Sequence, residues 1–256
     1  MNQDFKNHMC QALKKNVRMD GRKNDEFRKI TVQTGVIAGA EGSAKVTCGD
    51  TELIVGIKMN VGTPYPDTPD AGVLMTGAEL YPMSNPQFEV GPPGDIAIET
   101  ARVIDRGIRE SGAIDTKKLC IEAGEKVWMV CLDIAPVNLD GNLIDLGALG
   151  AIAALRNAKF PELKDGKPDY KHISKKALPI SKIPIEITVS KIGESFLVDL
   201  TNEEEKFVDA RLTVAVLEDD TLCAMQKGGD SPLTQDEILM MIDLAIKKSK
   251  DLRKLL

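Results

Sequence analysis

The sequence has few aromatic residues and almost no histidine. Aromatic side chains make up 4% of the 256 residues, and the histidines are His8 and His172. With so few aromatic rings, the core must be built from aliphatic side chains. Two histidines far apart in sequence argue against a zinc site or a catalytic triad that uses histidine. We therefore expect no bound metal and no cofactor.

Long hydrophobic runs and paired cysteines are also missing. No apolar stretch approaches the roughly 18 residues that a membrane-spanning helix requires, and we expect no signal peptide. The cysteines form no CxxC pair, and four lie in strand-like apolar segments, so we expect reduced, buried thiols. These features predict a cytoplasmic protein without membrane contact. The cysteines are Cys10, Cys48, Cys120, Cys131 and Cys223.

The remaining composition is that of a folded chain with a large core. Hydrophobic residues make up 43% and charged residues 28% of the sequence. The length fits one large domain or two closely packed halves. The net charge is −6 and the pI is about 5.2. Any nucleic-acid site must therefore be a local concentration of arginine or lysine.

Strand-like segments followed by long amphipathic helices predict an α+β fold. Strands are predicted at 28–38, 42–48, 51–60, 73–81, 118–122, 126–138, 184–191, 195–200, 209–217 and 221–227. Helices are predicted at 3–15, 94–111, 145–158 and 234–253, with a polar connection at 161–171. This recurrence predicts one unit over 1–256 with two similar halves, about 25–160 and 161–256. Each half is expected to pack a mixed or antiparallel sheet against helices.

Three arginines recur at helical spacing. Arg102, Arg106 and Arg109 stand at i, i+4 and i+7, so on a helix they share one face, with neighbours roughly 5–6 Å apart. Such a stripe can contact consecutive phosphates of one nucleic-acid strand. It can equally be a solvated face with ion pairs, because Glu99 and Asp105 precede Arg102 and Arg109 at helical spacing. The spacing leaves both interpretations open.

The stretch DGNLIDLGALGAIAAL, residues 140–155, has the pattern of an anion-binding turn. A strand is predicted to end at Asp140-Gly141, and the N-terminus of the following helix presents free N–H groups that suit a phosphate. Leu143 and Ile144, however, offer no hydrogen bond to an anion. The backbone pattern of a phosphate site is present, but its ligand groups are missing.

Two charged segments have more than one interpretation. The acidic run VDLTNEEEKFVDARLTVA, residues 198–215, can hold Mg²⁺ or supply a general base, or it can be a loop and a solvated helical turn. Arg18 and Arg22 flank Asp20-Gly21, and they either anchor this turn by ion pairs or contribute to a basic channel. The carboxylates of the acidic run are Asp199, Glu203, Glu204, Glu205 and Asp209.

Taken together, four segments resemble the RNase PH superfamily in order and spacing over nearly the entire chain. They are RMDGR at 18–22, EGSAKVTCGDTELIVGIK at 41–58, DG at 140–141 and VDLTNEEE at 198–205. More narrowly, PYPDTPDAG, ARVIDRGIRES and GEKVWMVCLDI resemble the non-catalytic RNase PH-type subunits of archaeal exosomes. The resemblance implies the RNase PH fold of two similar halves. It also implies a hexameric ring around an RNA channel, in which such subunits alternate with a catalytic paralogue and bear RNA-binding cap subunits.

Active members of this superfamily use phosphate to cleave RNA from the 3′ end and release nucleoside diphosphates, and this sequence departs from them at two places. After the DG of the phosphate turn they carry small and hydroxyl residues followed by an arginine or a close equivalent, whereas this chain has Asn142, Leu143 and Ile144. On the strand after the acidic run they carry an aspartate as general acid, and gapless alignment puts Arg211 there. An arginine cannot exchange a proton at neutral pH. The resemblance therefore implies a chain that does not catalyse by itself.

The same resemblance assigns a role to the arginine helix. Arg102, Arg106 and Arg109 match the helix that this subunit type turns toward its partner's active site. We therefore expect a non-catalytic ring subunit that binds single-stranded RNA and positions its 3′ end, while the paralogue binds phosphate and supplies the acid. One alternative is an active phosphate-dependent 3′–5′ exoribonuclease of the same family. Another is a Mg²⁺-dependent hydrolase built on residues 203–209.

Overall fold

The computed structural model describes residues 3–164 and 166–256 and has the predicted α+β architecture. The helices of these residues are α1 (Gln3–Leu13), α2 (Asp95–Ser111), α3 (Leu143–Asn157), α4 (Asn202–Glu205) and α5 (Gln235–Arg253), with a short 3-10 turn at Thr116–Leu119. The strands are β1 (Ile30–Thr34), β2 (Gly42–Cys48), β3 (Thr51–Gly62), β4 (Val73–Ala78), β5 (Cys120–Glu122), β6 (Lys126–Asn138), β7 (Lys159–Lys164), β8 (Lys167–Ala177), β9 (Ile185–Ile192), β10 (Ser195–Leu197), β11 (Ala210–Val216) and β12 (Leu222–Gly228). None of the described helices is both long enough and apolar enough to cross a membrane.

The first sheet has the order β1-β2-β3-β6-β4, and β5 pairs with β6 beside this path. It is mixed, because β4 runs parallel to β6 while the other pairs are antiparallel. Strands β2 and β3 are joined by a tight hairpin, in which Cys48 pairs with Thr51 and Gly49 has a φ of +55°. A glycine at this position adopts the left-handed conformation without a steric penalty.

The second sheet is antiparallel throughout, with the order β10-β9-β11-β12. Helix α3 contacts β2 and β3 of the first sheet and β9 of the second, so it lies between the two sheets. Its small residues permit this close approach. A Cβ atom on Gly150 would lie 2.7 Å from Cγ2 of Val55, and a Cβ atom on Gly42 of β2 would lie 2.4 Å from the carbonyl oxygen of Ala154. The aliphatic core that surrounds α3 is continuous across both sheets.

Several element boundaries differ from the prediction. The strand predicted at 28–38 is confined to β1, and the helix predicted at 145–158 begins two residues earlier, at Leu143. The polar connection predicted at 161–171 was wrong, because β7 and β8 form a two-stranded antiparallel sheet there. Residue 165 of that segment lies outside the described residues. Two prolines and many charged residues conceal the strand pattern in the sequence.

The thiols are free, as predicted, but only Cys48 is fully buried. It lies at the end of β2, and its burial raises the pKa of the Cys48 thiol to about 12. The prediction that all five are buried was therefore wrong for the four half-buried cysteines, Cys10, Cys120, Cys131 and Cys223.

Candidate functional site

The residues predicted at the degenerate chemical sites lie together. Asn142, Leu143, Ile144 and Arg211 line one cavity of about 280 Å³ between the N-terminus of α3 and the second sheet. Leu143 is 7% exposed and Ile144 is half-buried, so both leucine and isoleucine present apolar surface to the cavity. The structure thus brings the phosphate turn and the general-acid position to a single place.

The turn before α3 has the geometry of an anion site. Gly141 and Asn142 both adopt left-handed backbone conformations, with φ of +77° and +60°. A Cβ atom at Gly141 would lie 2.4 Å from the carbonyl oxygen of Leu200, so only glycine fits here. The resulting turn directs the backbone N–H of Asn142 toward the cavity at the positive end of the helix.

That N–H is already bound to a carboxylate of the same chain. The backbone nitrogen of Asn142 donates to Oε1 of Glu205 at 2.8 Å, and its side-chain amide donates to Oδ1 of Asp199 at 2.7 Å. The Glu205 side chain is solvent-accessible at the cavity, yet the cavity walls surround its carboxylate. This desolvation raises the pKa of Glu205, although the hydrogen bond from Asn142 and the charge of Arg211 oppose the rise. The Glu205 carboxyl group of the same chain therefore takes up the N–H at the start of α3.

Glu205 was not singled out as an anion at this turn by sequence reasoning. Helix α4 carries it, and a capping box holds this short helix: Thr201 accepts from the N–H of Glu204, and the Glu204 carboxylate accepts from the N–H of Thr201. The available signal was the T-x-x-E pattern inside the acidic run. It indicates a helix start, and it does not indicate which N–H the next carboxylate reaches.

Arg211 lies on β11 and spans the cavity toward α2. Its Nη2 donates to Oε2 of Glu99 at 2.6 Å, and both side chains are about one-third exposed. The neighbouring candidate base, Asp209, accepts from Lys6 Nζ at 2.6 Å and from the N–H of Gly193 at 2.7 Å. Burial alone would raise the pKa of Asp209, but these donors outweigh that effect and lower the pKa. Asp209 is thus an ion-paired carboxylate immediately before the start of β11.

The Arg18 turn belongs to the structural support of this site. Arg18 is 2% exposed and forms a two-pronged ion pair with Glu204, with Nε 2.8 Å from Oε1. It also donates to the carbonyl oxygens of Val198, at 2.9 Å, and Asp199, at 2.8 Å. The ion-pair interpretation is therefore confirmed for Arg18, and a place in a basic channel is excluded by its burial.

Asp199 is held by two further arginines. Arg22 Nη1 lies 2.8 Å from Oδ2, and Arg28 Nη2 lies 2.8 Å from Oδ1. Burial favours the neutral acid, but these guanidinium groups outweigh it and lower the pKa of Asp199. Of the two interpretations of the acidic run, the solvated loop and turn does not hold for Asp199 and Glu204, which are buried. Within residues 3–164 and 166–256, no cluster of His, Cys, Asp or Glu has a metal-binding arrangement.

The three arginines of α2 lie on its exposed face, outside the cavity. Arg109 is paired with Asp105 as the spacing predicted, with Nε 2.9 Å from Oδ2, and it also donates to the carbonyl oxygen of Leu74. Arg106 makes one long contact of 3.5 Å with Gln226. Arg102 has no hydrogen bond or ion pair with the part of the chain that the structure describes. The stripe therefore offers two guanidinium groups that are largely free and one that is paired.

The chain is similar over most of its length to proteins of known family. Two models of the 3′ exoribonuclease family match the chain, domain 1 over residues 26–161 and domain 2 over residues 182–248. The exosome complex component Rrp42 of Methanocella arvoryzae is 50% identical over 93% of this chain and 89% of its own length. Rrp42 of Thermoplasma acidophilum is 45% identical over 97% of this chain and 94% of its own length.

Solved structures agree with this assignment. A chain of the Archaeoglobus fulgidus exosome with RNA bound to the active site superposes with a TM-score of 0.89 at 45% identity, covering 98% of this chain and 97% of that chain. Rice Rrp46 shares the fold alone, with a TM-score of 0.68 at 15% identity over 93% of this chain and 97% of its own. The predicted RNase PH fold is confirmed, and the chain belongs to the RNase PH family of 3′ exoribonucleases.

Proposed function

We propose that this chain is a non-catalytic, RNA-binding ring subunit of a phosphorolytic 3′–5′ exoribonuclease complex of the exosome type, acting in RNA processing and degradation. The relatives named above are exosome components, and one related structure contains RNA at its active site. Such a subunit would alternate with a catalytic paralogue in a hexameric ring that carries RNA-binding caps. Its own contribution would be to position RNA.

The observation that carries this proposal is the Glu205 carboxylate at the N-terminus of α3. In active members this turn binds phosphate. Here, an entering phosphate would meet a carboxylate of the same sign and the apolar side chains of Leu143 and Ile144. Desolvating a neutral polar group without a hydrogen-bond partner costs of order 2–7 kcal/mol, and desolvating an anion such as phosphate costs more. Phosphate binding is therefore disfavoured by charge as well as by the lack of ligands.

The position of the general acid supports the same proposal. Arg211 is fixed by its ion pair with Glu99, and a guanidinium group neither donates nor accepts a proton at neutral pH. This chain thus departs from active members both at the phosphate turn and at the position of the general acid. Both functions would have to come from the paralogue.

The arginine stripe supports the RNA-binding part of the proposal. Arg102 and Arg106 are exposed and largely free, so they can exchange water for phosphate oxygens without first breaking an ion pair. Arg109 must first give up Asp105. We therefore propose that Arg102 and Arg106 carry most of the RNA contact and that Arg109 makes a smaller contribution. Holding a strand in register is positioning, which accelerates a reaction without any proton transfer by this chain.

Phosphorolysis assays test the proposal. The purified chain, incubated with single-stranded RNA and inorganic phosphate, should release no nucleoside diphosphate. When it is mixed with its catalytic RNase PH-type paralogue, the mixture should shorten RNA faster than the paralogue alone. Arg106→Glu should reduce this stimulation, and Lys250→Glu, on the remote surface of α5, provides the charge-matched control. Release of nucleoside diphosphates by the chain alone would overturn the non-catalytic assignment and favour the active-enzyme alternative.

A further inference from the structure

The hairpin formed by β7 and β8 is a concentration of positive charge on an acidic chain. Residues 159–177 contain six lysines and three carboxylates, whereas the whole sequence has a net charge of −6. All six lysines are exposed. They are Lys159, Lys164, Lys167, Lys171, Lys175 and Lys176.

These lysines differ from most cations on the rest of the surface because they form no ion pairs; Lys176 Nζ instead lies 4.9 Å from the centroid of the Phe160 ring. Eleven lysines elsewhere are close to carboxylates, as in the pairs of Lys45 with Glu52 and Lys250 with Asp220. None of the six hairpin lysines forms an ion pair with a residue that the structure describes. The Asp169 carboxylate on the hairpin is taken by His172 at 2.8 Å, and this contact raises the pKa of His172. Free ammonium groups in this number favour a polyanionic partner.

The hairpin also presents an aromatic ring. Tyr170 is 47% exposed, its hydroxyl contacts the side chain of Asn60, and Lys58 Nζ lies 4.5 Å from the ring centroid. At the other end, the ring of Phe160 lies 5.2 Å from that of Trp128 in the first sheet. These contacts fix the hairpin to the body of the protein, so its lysines and its tyrosine have defined positions on the surface.

We propose that the β7–β8 hairpin is a second contact site for single-stranded RNA, separate from the arginine stripe of α2. Lys167, Lys171 and Lys175 recur every four residues along β8, at most about 13 Å apart in an extended strand. Ammonium groups in a row follow a phosphate backbone, and Tyr170 offers a surface on which a base stacks. The exposed ring next to the lysines favours a single strand, which offers both phosphates and stackable bases. This inference rests on the proposed RNA-handling function and adds a second surface to it.

The salt dependence of RNA binding tests whether the hairpin lysines contact RNA. The full chain, alone and mixed with its paralogue, is titrated against a fluorescein-labelled oligouridylate by fluorescence anisotropy at several salt concentrations. The slope of log affinity against log salt concentration is negative, and each phosphate contact to a single strand contributes about 0.7 to its magnitude. The triple variant Lys167→Gln/Lys171→Gln/Lys175→Gln removes three such contacts and should reduce this magnitude by about two. The matched control is Lys14→Gln/Lys15→Gln/Lys117→Gln, which removes three exposed lysines elsewhere. It should leave the slope unchanged.

The tyrosine gives an independent readout. Tyr170→Leu should weaken binding several-fold without changing the salt slope, because stacking releases no counterions. Tyr170→Phe should keep the affinity. Circular dichroism melting shows that each variant is folded before its affinity is compared.

The possible results separate this inference from the proposed function. If the lysine variant binds RNA like the control while Arg106→Glu weakens binding, the hairpin is not an RNA site and the proposed function stands. If the lysine variant loses assembly with the paralogue but retains RNA affinity, the hairpin is a protein contact and the inference is wrong. If neither the wild-type chain nor its complex binds RNA, the proposed function and the inference both fail.

Discussion

Replacing Arg18 with methionine tests whether the N-terminal turn supports the acidic run or serves RNA. The Arg18 side chain is fully buried, and its Nε and Nη2 atoms pair with Glu204, which is 2% exposed. Two carbonyl oxygens, of Val198 and Asp199, also accept from it. Methionine fills a similar volume but leaves the Glu204 charge and both carbonyl groups without this partner.

The magnitude follows from the burial. Removing one member of a buried ion pair costs about 3–5 kcal/mol, because the remaining charge stays desolvated. For a chain of this length, each kcal/mol lowers the melting temperature by about 2–4 °C. Arg18→Met should therefore lower the melting temperature by roughly 6–20 °C. Arg18→Met/Glu204→Leu removes both charges and should recover much of this loss.

Urea unfolding followed by circular dichroism measures the differences in unfolding free energy, and thermal melting measures the differences in melting temperature. Lys250→Met is the control, because Lys250 pairs with Asp220 at 2.8 Å on the surface and should contribute less than about 1 kcal/mol. RNA affinity of the folded Arg18→Met protein should equal that of the wild type. If Arg18→Met costs no more than the control, or if it weakens RNA binding while folded, the supporting role of Arg18 is refuted.

The other predictions concern the stripe, a buried acid and a packed glycine. Arg106→Glu should weaken oligouridylate binding in anisotropy titrations more than Arg109→Glu, because Arg109 is already ion-paired; equal losses would contradict the proposed order. Burial raises the pKa of Asp145 from 3.8 to about 7. Its contribution to stability is therefore present below about pH 4 and lost as the pH rises through about 7, so Asp145→Asn should flatten urea-unfolding free energies over this range, and an unchanged slope would disprove it. A Cβ atom at Gly107 would lie 1.9 Å from Oε1 of Glu186, so Gly107→Ala should lower the urea stability by about 1–3 kcal/mol, and an unaltered midpoint would show that the helix shifts freely.

Local signals in the sequence predicted the elements that depend on local chemistry. The strands predicted at 42–48 and 51–60 match β2 and β3, which the Gly49-Asp50 turn joins. The helix predicted at 94–111 ends with α2 at Ser111, and Gly112 is left-handed with a φ of +64°. Helix α3 follows the Asp140-Gly141 turn, as predicted. The β7–β8 hairpin was missed, because its strands are exposed and charged and are positioned by contacts such as Phe160 with Trp128. Those contacts join residues that are far apart in sequence.

The sequence predicted which residues lie at the candidate site, but it did not predict which side chains these residues bind. The resemblance placed Leu143 and Arg211 at the two chemical positions, and the structure brings them into one cavity. The division of the chain into similar halves stays a prediction. No local pattern shows that Glu205 reaches the N–H of Asn142, or that Arg18 pairs with a glutamate 186 residues away. Arg28, which binds Asp199, carried no sequence signal at all.

The net charge of −6 is a poor guide to where this chain meets RNA. Several of its carboxylates are neutralised internally: Asp199 and Glu204 by buried arginines, and Asp105 by Arg109. At physiological ionic strength a charge is screened within about 8 Å, so a phosphate responds to the groups beside it and not to the sum over the molecule. What decides RNA affinity is therefore the supply of cations without a nearby carboxylate. On the described surface, such cations include Arg102 and Arg106 on α2 and the lysines of the β7–β8 hairpin, so an acidic protein can carry two local surfaces for a polyanion.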